Sequence, residues 1–252
     1  MIRTYQAHVV WIGRRTKDAS IQSKLDRLAR IGPAPFYIEA DAANREDLER
    51  AYAAIKQIHR EINGIIHSAI VLQDQSLMNM DEERFRNVLS AKVDVSVQMA
   101  QVFQKEPLDF ALFFSSVQSF ARASGQSNYA AGCSFKDAFA HRLSQVWPCT
   151  VAVINWSYWG SIGVVSSPDY QRRMAQAGIG SIEAPEAMAA LELLLGGPLK
   201  QLVMMKMADC ETGNDSGQND ETIEVYPETH SSAIEKLRSY HPGDSTTIQQ
   251  LL

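Results

Sequence analysis

Residues 112–139 read LFFSSVQSFARASGQSNYAAGCSFKDAF. The run 110–114 is short, continuous and apolar, the pattern of a strand buried on both faces of a parallel sheet. Ser115 and Ser116 follow at its carboxyl end, the side on which open α/β sheets bind their ligands. From about Ser127, small and apolar residues predict a packed helix with Tyr129 in its first turn. A strand end, a loop and a helix start can bring the hydroxyls of Ser116 and Tyr129, thirteen positions apart, onto one substrate atom. Such a pair suits reduction of a carbonyl, with Tyr129 giving the proton and Ser116 orienting the oxygen. A free phenol titrates near ~10, so an acid working at neutral pH needs a cation beside it. Lys136 shares roughly the helix face of Tyr129 but lies about 10.5 Å along the axis, too far for direct contact. Position 133, one turn from the tyrosine, is Cys133. Lys92 is the better candidate. After Asp81 as N-cap, Phe85, Val88, Lys92, Val95, Met99 and Val102 recur at three- and four-residue steps, predicting one helix whose apolar stripe Lys92 interrupts.

The order Lys92, Ser116, Tyr129 closely resembles the ketoreductase domains of modular polyketide synthases, a branch of the short-chain dehydrogenase/reductase superfamily. The resemblance covers residues 1 to about 208 and rests on LSAKVDVS at 89–96, FFSS at 113–116, GQSNYAA at 125–131, IIHSAIVLQD at 65–74 and INWSYWG at 154–160 taken together. It implies Tyr129 as the acid, Ser116 as hydrogen-bond donor to the ketone and Lys92 as the cation that lowers the phenol's pKa. It also implies NADPH as cofactor, a β-ketoacyl thioester carried on an acyl-carrier domain's phosphopantetheine arm, and neighbouring synthase domains as partners. GQSNYAAGCSFKDAFAHRL is particularly similar to bacterial synthases whose acyltransferase acts in trans. Leu72-Gln73-Asp74 resembles the Leu-Asp-Asp signature of ketoreductases that deliver the D-configured alcohol, and the resemblance groups Asp74 and Gln126 as substrate and stereocontrol residues. The tryptophan of the other stereochemical class is replaced by Ala121. Loop chemistry alone also explains an aspartate between two apolar runs. Two positions depart from the family: Ile70 stands where glycine is usual, with a side chain able to crowd the nicotinamide ribose, and Cys133 stands where asparagine is usual.

Outward from this stretch, strands and helices alternate. A strand over 8–12 ends at Gly13-Arg14-Arg15. Arginine at the end of this strand accommodates a 2′-phosphate where an acidic residue would select NAD, although both arginines also suit a solvated turn. A helix over 21–31 follows, then a strand over 35–40 ending at Asp41. The resemblance sets Asp41 beside the adenine ring; satisfying turn amides is the alternative. Asn44 and Asp47 cap a helix with the stripe Leu48, Tyr52, Ile55 and Ile58. A strand over 62–71 carries His67, Ser68 and Ala69 at its exit, where the cofactor ribose would lie, and His67 reads as a buried, hydrogen-bonded histidine rather than a catalyst. The strand over 150–156 leads into an irregular stretch with Pro168, Tyr170, Met174 and Gly178, either a segment that closes over the ligands or part of the core. A helix over 185–195 stops at Gly196-Gly197-Pro198 and precedes a last strand over 201–207. The fold class is α/β, a Rossmann-like doubly wound parallel sheet.

The chain has 252 residues, 45% of them hydrophobic, enough for a sizeable core. A net charge of −5 argues against nucleic acid and anionic membranes as partners. No apolar run approaches the ~20 residues of a membrane span. Cys133, Cys149 and Cys210 lack metal-site spacing and leave an odd thiol, which predicts a reducing cytoplasm. Residues 1–208 are expected to form the domain and 209–252 an acidic, flexible linker, with a short helix over 231–240. A dinucleotide fold normally opens with a strand, a glycine-rich turn and a helix N-terminus that holds the pyrophosphate. Here Gly178-Ile179-Gly180 comes far too late and has Glu183 in place of the third glycine. The expectation is therefore a chain that starts in the tail of its first helix, with the first strand and glycine-rich turn upstream. Three functions follow: an NADPH-dependent β-ketoacyl reductase, a degenerate ketoreductase kept as an architectural or docking element, and a free-standing reductase of small molecules. The last is disfavoured because no lysine lies four residues after Tyr129.

Overall fold

The computed structural model describes residues 1–121, 123–160, 168–207, 224–226 and 249–251. The chain runs α1 (Ile2–Tyr5), β1 (Val10–Gly13), α2 (Ala19–Ala29), β2 (Phe36–Glu39), α3 (Arg45–Ile58), β3 (Gly64–His67), a 3₁₀ turn (Leu77–Asn79), α4 (Glu82–Ser90), α5 (Val93–Phe103) and β4 (Phe110–Ser116). It continues through α6 (Gln118–Ala121), α7 (Ser127–Ser144), β5 (Thr150–Trp156), α8 (Pro168–Gln176), β6 (Ile179–Gly180), α9 (Ala184–Gly196), β7 (Gln201–Met204), β8 (Lys206–Met207), β9 (Glu224–Tyr226) and β10 (Gln249–Leu251). Side-chain caps start the helices where the sequence supplies them. Asp18 accepts from the Ile21 amide at 2.8 Å, Asn44 from Asp47 at 3.1 Å and Asp81 from Arg84 at 2.8 Å, while Glu183 and Glu186 form a capping box.

Two parallel ladders carry the sheet, β1-β2 and β3-β4-β5-β7. In the longer one β4 and β5 pair from Phe110↔Thr150 to Ser116↔Trp156. Alternate residues of this pair face opposite cores. Ala111, Phe113, Val151 and Val153 pack with Val95, Met99 and Leu143 on one side, whereas Leu112, Ala152, Ile154 and Trp156 pack with Ile182, Leu194 and Leu202 on the other. Burial on both faces is why the run 110–114 is apolar without alternation. Ile12 of β1 packs on the first cluster together with Ile65 of β3, so the two ladders share a core.

Several elements differ from expectation. The strand read over 62–71 pairs only at Gly64–His67; beyond it the backbone leaves the ladder and Ile70 is 44% exposed. The single helix read across 81–102 is two, α4 and α5, which meet at Ala91 and Lys92. Strand β4 continues through Ser115 and Ser116. After β5, the irregular stretch becomes helix α8 and strand β6, with residues 161–167 outside the described part. The last strand divides at Met205 into β7, parallel to β5, and β8, antiparallel to β6. In the acidic segment β9 and β10 pair in parallel; the helix expected over 231–240 lies outside the described residues. Among the described residues no helix is long and apolar enough to cross a membrane, and no three metal-binding side chains cluster.

Candidate active site

Ser116 ends β4, Tyr129 is in the first turn of α7, and Lys92 occupies the N-cap position of α5. All three line one cavity of about 420 Å³ beyond the carboxyl ends of β4 and β5, together with Ala69, Asp74 and Gln126. The approach to α7 is shaped by Gly125, whose φ of 82° is a backbone that glycine enters without strain. Asn128 is wholly buried; its side chain accepts from the Tyr129 amide at 2.8 Å and donates to the Gln73 carbonyl at 3.1 Å. It thereby fixes the start of α7 against the loop that carries Asp74. From the N-cap position of α7, Gln126 donates to Asp74 at 2.6 Å, so the two candidate stereocontrol residues form a pair.

The helix break explains how a lysine sits in an apolar stripe. Lys92 donates its amide to Leu89 at 2.9 Å, and its carbonyl accepts from the Ser96 hydroxyl at 2.5 Å and from His67 Nε2 at 3.3 Å. Its side chain is 2% exposed and its Nζ stands 4.3 Å from the centroid of the Tyr129 ring, a cation–π contact. Gly132 leaves room for the lysine stem, since a Cβ there would lie 2.6 Å from Lys92 Cδ.

Burial pushes the Tyr129 phenol well above its ordinary value, Cys133 adds to the rise, and a hydrogen bond with Ser116 opposes it. The Lys92 ammonium lies over the Tyr129 ring, and burial outweighs the hydrogen bond that lowers the phenol. Cys133 is fully buried between Lys92 and Lys136; burial raises its thiol and the two lysines oppose the rise. Lys136 does not touch Tyr129, as its axial distance requires. It is fully buried and donates to the Phe114 carbonyl at 2.9 Å, with His67 Nδ1 at 3.5 Å. His67 is the buried, hydrogen-bonded histidine expected, held well below its usual value first by burial and then by Lys136.

The remaining candidates lie elsewhere. Arg14 and Arg15 are exposed after β1, Arg15 3.8 Å from Asp18, and neither lines the cavity. Asp41 accepts from the Ala43 amide at 2.9 Å, the turn role weighed against adenine contact. Ile70 lines the cavity, as do Tyr170 and Met174 of α8, which face an aromatic wall of Trp156, Tyr158 and Trp159. The sequence reading did not single out Asn128, and it set Lys136 aside on distance. The positions 129, 133 and 136 share one helix face, a signal available in the spacing.

Residues 1–161 match the KR domain family. Over its whole length the chain is 84% identical to polyketide synthase PksN of Bacillus subtilis, of which it spans 5%. It is 50% identical over 96% of its length to PksM of the same organism, spanning 6% of that protein. It is 45% identical over 82% to ThaG of Burkholderia thailandensis, spanning 4%. Among solved structures, a ketoreductase domain from the bacillaene assembly line superposes with a TM-score of 0.74 at 29% identity, covering 81% of this chain and 50% of that one. An N-terminal ketoreductase from the macrolactin assembly line gives 0.71 at 27%, covering 78% and 39%. With the parallel α/β sheet and the cavity at its carboxyl end, these matches establish that the chain belongs to the ketoreductase (KR) domains of bacterial polyketide synthases.

Proposed function

We propose that the chain carries the reaction centre of an NADPH-dependent reductase that converts a carrier-bound β-ketoacyl thioester into the β-hydroxyacyl thioester. The observation that carries this reading is the convergence of Ser116, Tyr129 and Lys92, from three separate elements, on one cavity. The bound nicotinamide supplies the hydride. Ser116 donates a hydrogen bond to the ketone oxygen, Tyr129 gives that oxygen its proton, and Lys92 provides positive charge beside the phenol as it loses one. Small residues Ser68 and Ala69 on the cavity wall fit the ribose beside the nicotinamide, and Arg14 and Arg15 suit a 2′-phosphate. No glycine-rich strand-turn-helix occurs among the described residues. The chain spans half or less of the two solved assembly-line ketoreductases it matches, and we assign the pyrophosphate cradle to the part it does not span.

The substrate arrives on a phosphopantetheine arm from an acyl-carrier domain of a synthase, of the type whose acyltransferase acts in trans, in the cytoplasm. Residues 1–208 act as the domain and 209–252 as its linker. A second reading, an architectural element without turnover, is favoured by the burial that raises the Tyr129 phenol. Steady-state rates of the chain extended upstream, with a β-ketoacyl thioester and either NADPH or NADH, separate the two. Turnover preferring NADPH supports the reductase, and a folded, extended chain without turnover supports the architectural reading.

A further inference from the structure

We propose that Lys136 is a positioning residue of this reduction, the tie that holds the elements bearing Tyr129, Ser116 and Lys92 in one arrangement. The inference rests on the reductase reading and concerns a buried cation for which that reading has no use.

Lys136 lies two turns along α7 from Tyr129 and has no solvent-exposed surface. Its Nζ donates at 2.9 Å to the carbonyl of Phe114, two residues before Ser116. The same nitrogen lies 3.5 Å from His67 Nδ1, and the opposite ring nitrogen, Nε2, lies 3.3 Å from the carbonyl of Lys92. A carbonyl only accepts, so the bond to Lys92 puts the imidazole proton on Nε2 and leaves Nδ1 to accept from Lys136. One amine on the tyrosine's helix therefore reaches the serine's strand directly and the lysine's helix through a single ring.

Packing alone does not account for a lysine at this point. A buried cation is costly unless paired, and among the described residues no carboxylate is hydrogen-bonded to this one. Asp137, the neighbouring acid on α7, is engaged with Asn155 at 2.8 Å. The other ionisable groups facing the cluster are Lys92 at the start of α5, His67 on β3, Tyr129 and Cys133 on α7, and Asp74 from the loop after β3. Burial first, and the charge of Lys92 second, hold Lys136 well below the ordinary lysine value. A neutral amine still donates to both of its acceptors, so the tie does not require the charge.

Stability and activity should consequently respond in opposite directions to removal of the amine. A lysine with a lowered folded pKa binds fewer protons folded than unfolded, so it weakens the fold below the ordinary lysine range, and this penalty fades as pH rises towards that range. Lys136→Met removes the penalty while keeping the volume. In the chain extended upstream to the length of the solved ketoreductases, the thermal midpoint of Lys136→Met at pH 7 should equal or exceed that of the wild type, with the gap narrowing at alkaline pH. The kcat should fall roughly 10- to 100-fold with KM for NADPH within about twofold, the consequence of reacting groups misplaced by a fraction of an ångström. His67→Leu should lower kcat less, and adding it to Lys136→Met should cost nothing further. If Lys136→Met does not fold, His67→Leu alone decides, by lowering kcat at unchanged KM or by leaving it unaltered. An unaltered kcat in the folded Lys136→Met variant, or a kcat and midpoint that fall together, would overturn the tie. A wild type without turnover would instead overturn the reductase reading, and the tie with it.

Discussion

Replacing Gly132 by alanine adds one carbon to the face of α7 along which Lys92 lies. That Cβ would sit 2.6 Å from Lys92 Cδ, 3.3 Å from its Cβ and 3.4 Å from its Cγ. Carbon atoms prefer about 3.5–4.0 Å, so the lysine stem must retreat by roughly 1 Å. It has little room to do so: the closest atom is mid-stem, the side chain is 2% exposed, and the Lys92 carbonyl is pinned by Ser96 and His67. An ammonium that starts 4.3 Å from the ring centroid moves by a substantial fraction of that distance. A 1 Å misplacement costs on the order of 10²-fold in rate, about 2.7 kcal/mol of barrier. The fold should lose much less. Overpacking costs about 1–3 kcal/mol, offset by about 1 kcal/mol because alanine is the better residue inside a helix. Gly132→Ala in the extended chain should therefore lose two orders of magnitude in kcat while the unfolding midpoint falls by only a few degrees. Steady-state turnover with NADPH and a β-ketoacyl thioester, alongside a thermal melt, measures both. Wild-type turnover in a folded Gly132→Ala variant would refute the reasoning, because Lys92 would then have neither a tight seat nor a role that depends on one.

Tyr129→Phe removes one oxygen and keeps the ring under Lys92, so kcat should fall about 10²–10⁴-fold, roughly 3–5.5 kcal/mol, with folding intact; near-wild-type turnover would show that the acid is misassigned. Replacing Arg14 and Arg15 together by aspartate should shift cofactor preference towards NADH, since both are exposed and little stability is at stake; an unchanged ratio of NADPH to NADH rates would remove the argument from the arginines. Glu106, whose side chain is 5% exposed, pairs with Lys56 at 3.0 Å and accepts from Tyr52. Burial pushes its pKa up, but these hydrogen bonds outweigh burial and hold it below the ordinary carboxylate range. Its contribution is thus whole above the unfolded value near ~4.3 and is lost as pH falls through the lower folded value. Glu106→Gln should cost about 1–3 kcal/mol at pH 7 by denaturant titration and lose less stability than the wild type on acidification; an identical acid profile would remove Glu106 from the account.

The sheet and the placement of Ser116 and Tyr129 were legible because local pattern and tertiary demand agree there. The run 110–114 is apolar at every position, as burial on two faces requires, and hydroxyls begin where the strand reaches the cavity. Where the two demands diverge, the reading failed. Val88, Lys92 and Val95 keep one helical phase, and no glycine or proline marks the break at Ala91 and Lys92. What accompanies that break is contact from elsewhere in sequence, His67 on the Lys92 carbonyl, which no window of residues around position 92 contains. The overlong strand at 62–71 is the converse case. Ile70 looks like core by composition, yet it is 44% exposed, because pairing with β4 ends at His67.

Cys133 and Lys136 show most clearly what sequence order hides. Read singly, Cys133 is a lost asparagine that weakens the case for activity, and Lys136 is a lysine too distant from Tyr129 to matter. In space they belong to one buried cluster with His67 and Lys92, in which the thiol lies between the two lysines and the second lysine reaches the strand of Ser116. Under the tie proposed above, the departure at Cys133 lies within a polar cluster that still supports the reaction centre. The architectural reading instead makes both residues relics of a site no longer in use. The second view gives no reason to bury an amine that is hydrogen-bonded to a carbonyl and a ring nitrogen at the junction of three elements, where an apolar side chain of the same volume is expected to be the more stable choice. Turnover in the wild type compared with Lys136→Met therefore separates the views more sharply than any substitution of Cys133, because only the tie requires the less stable residue to be the more active one.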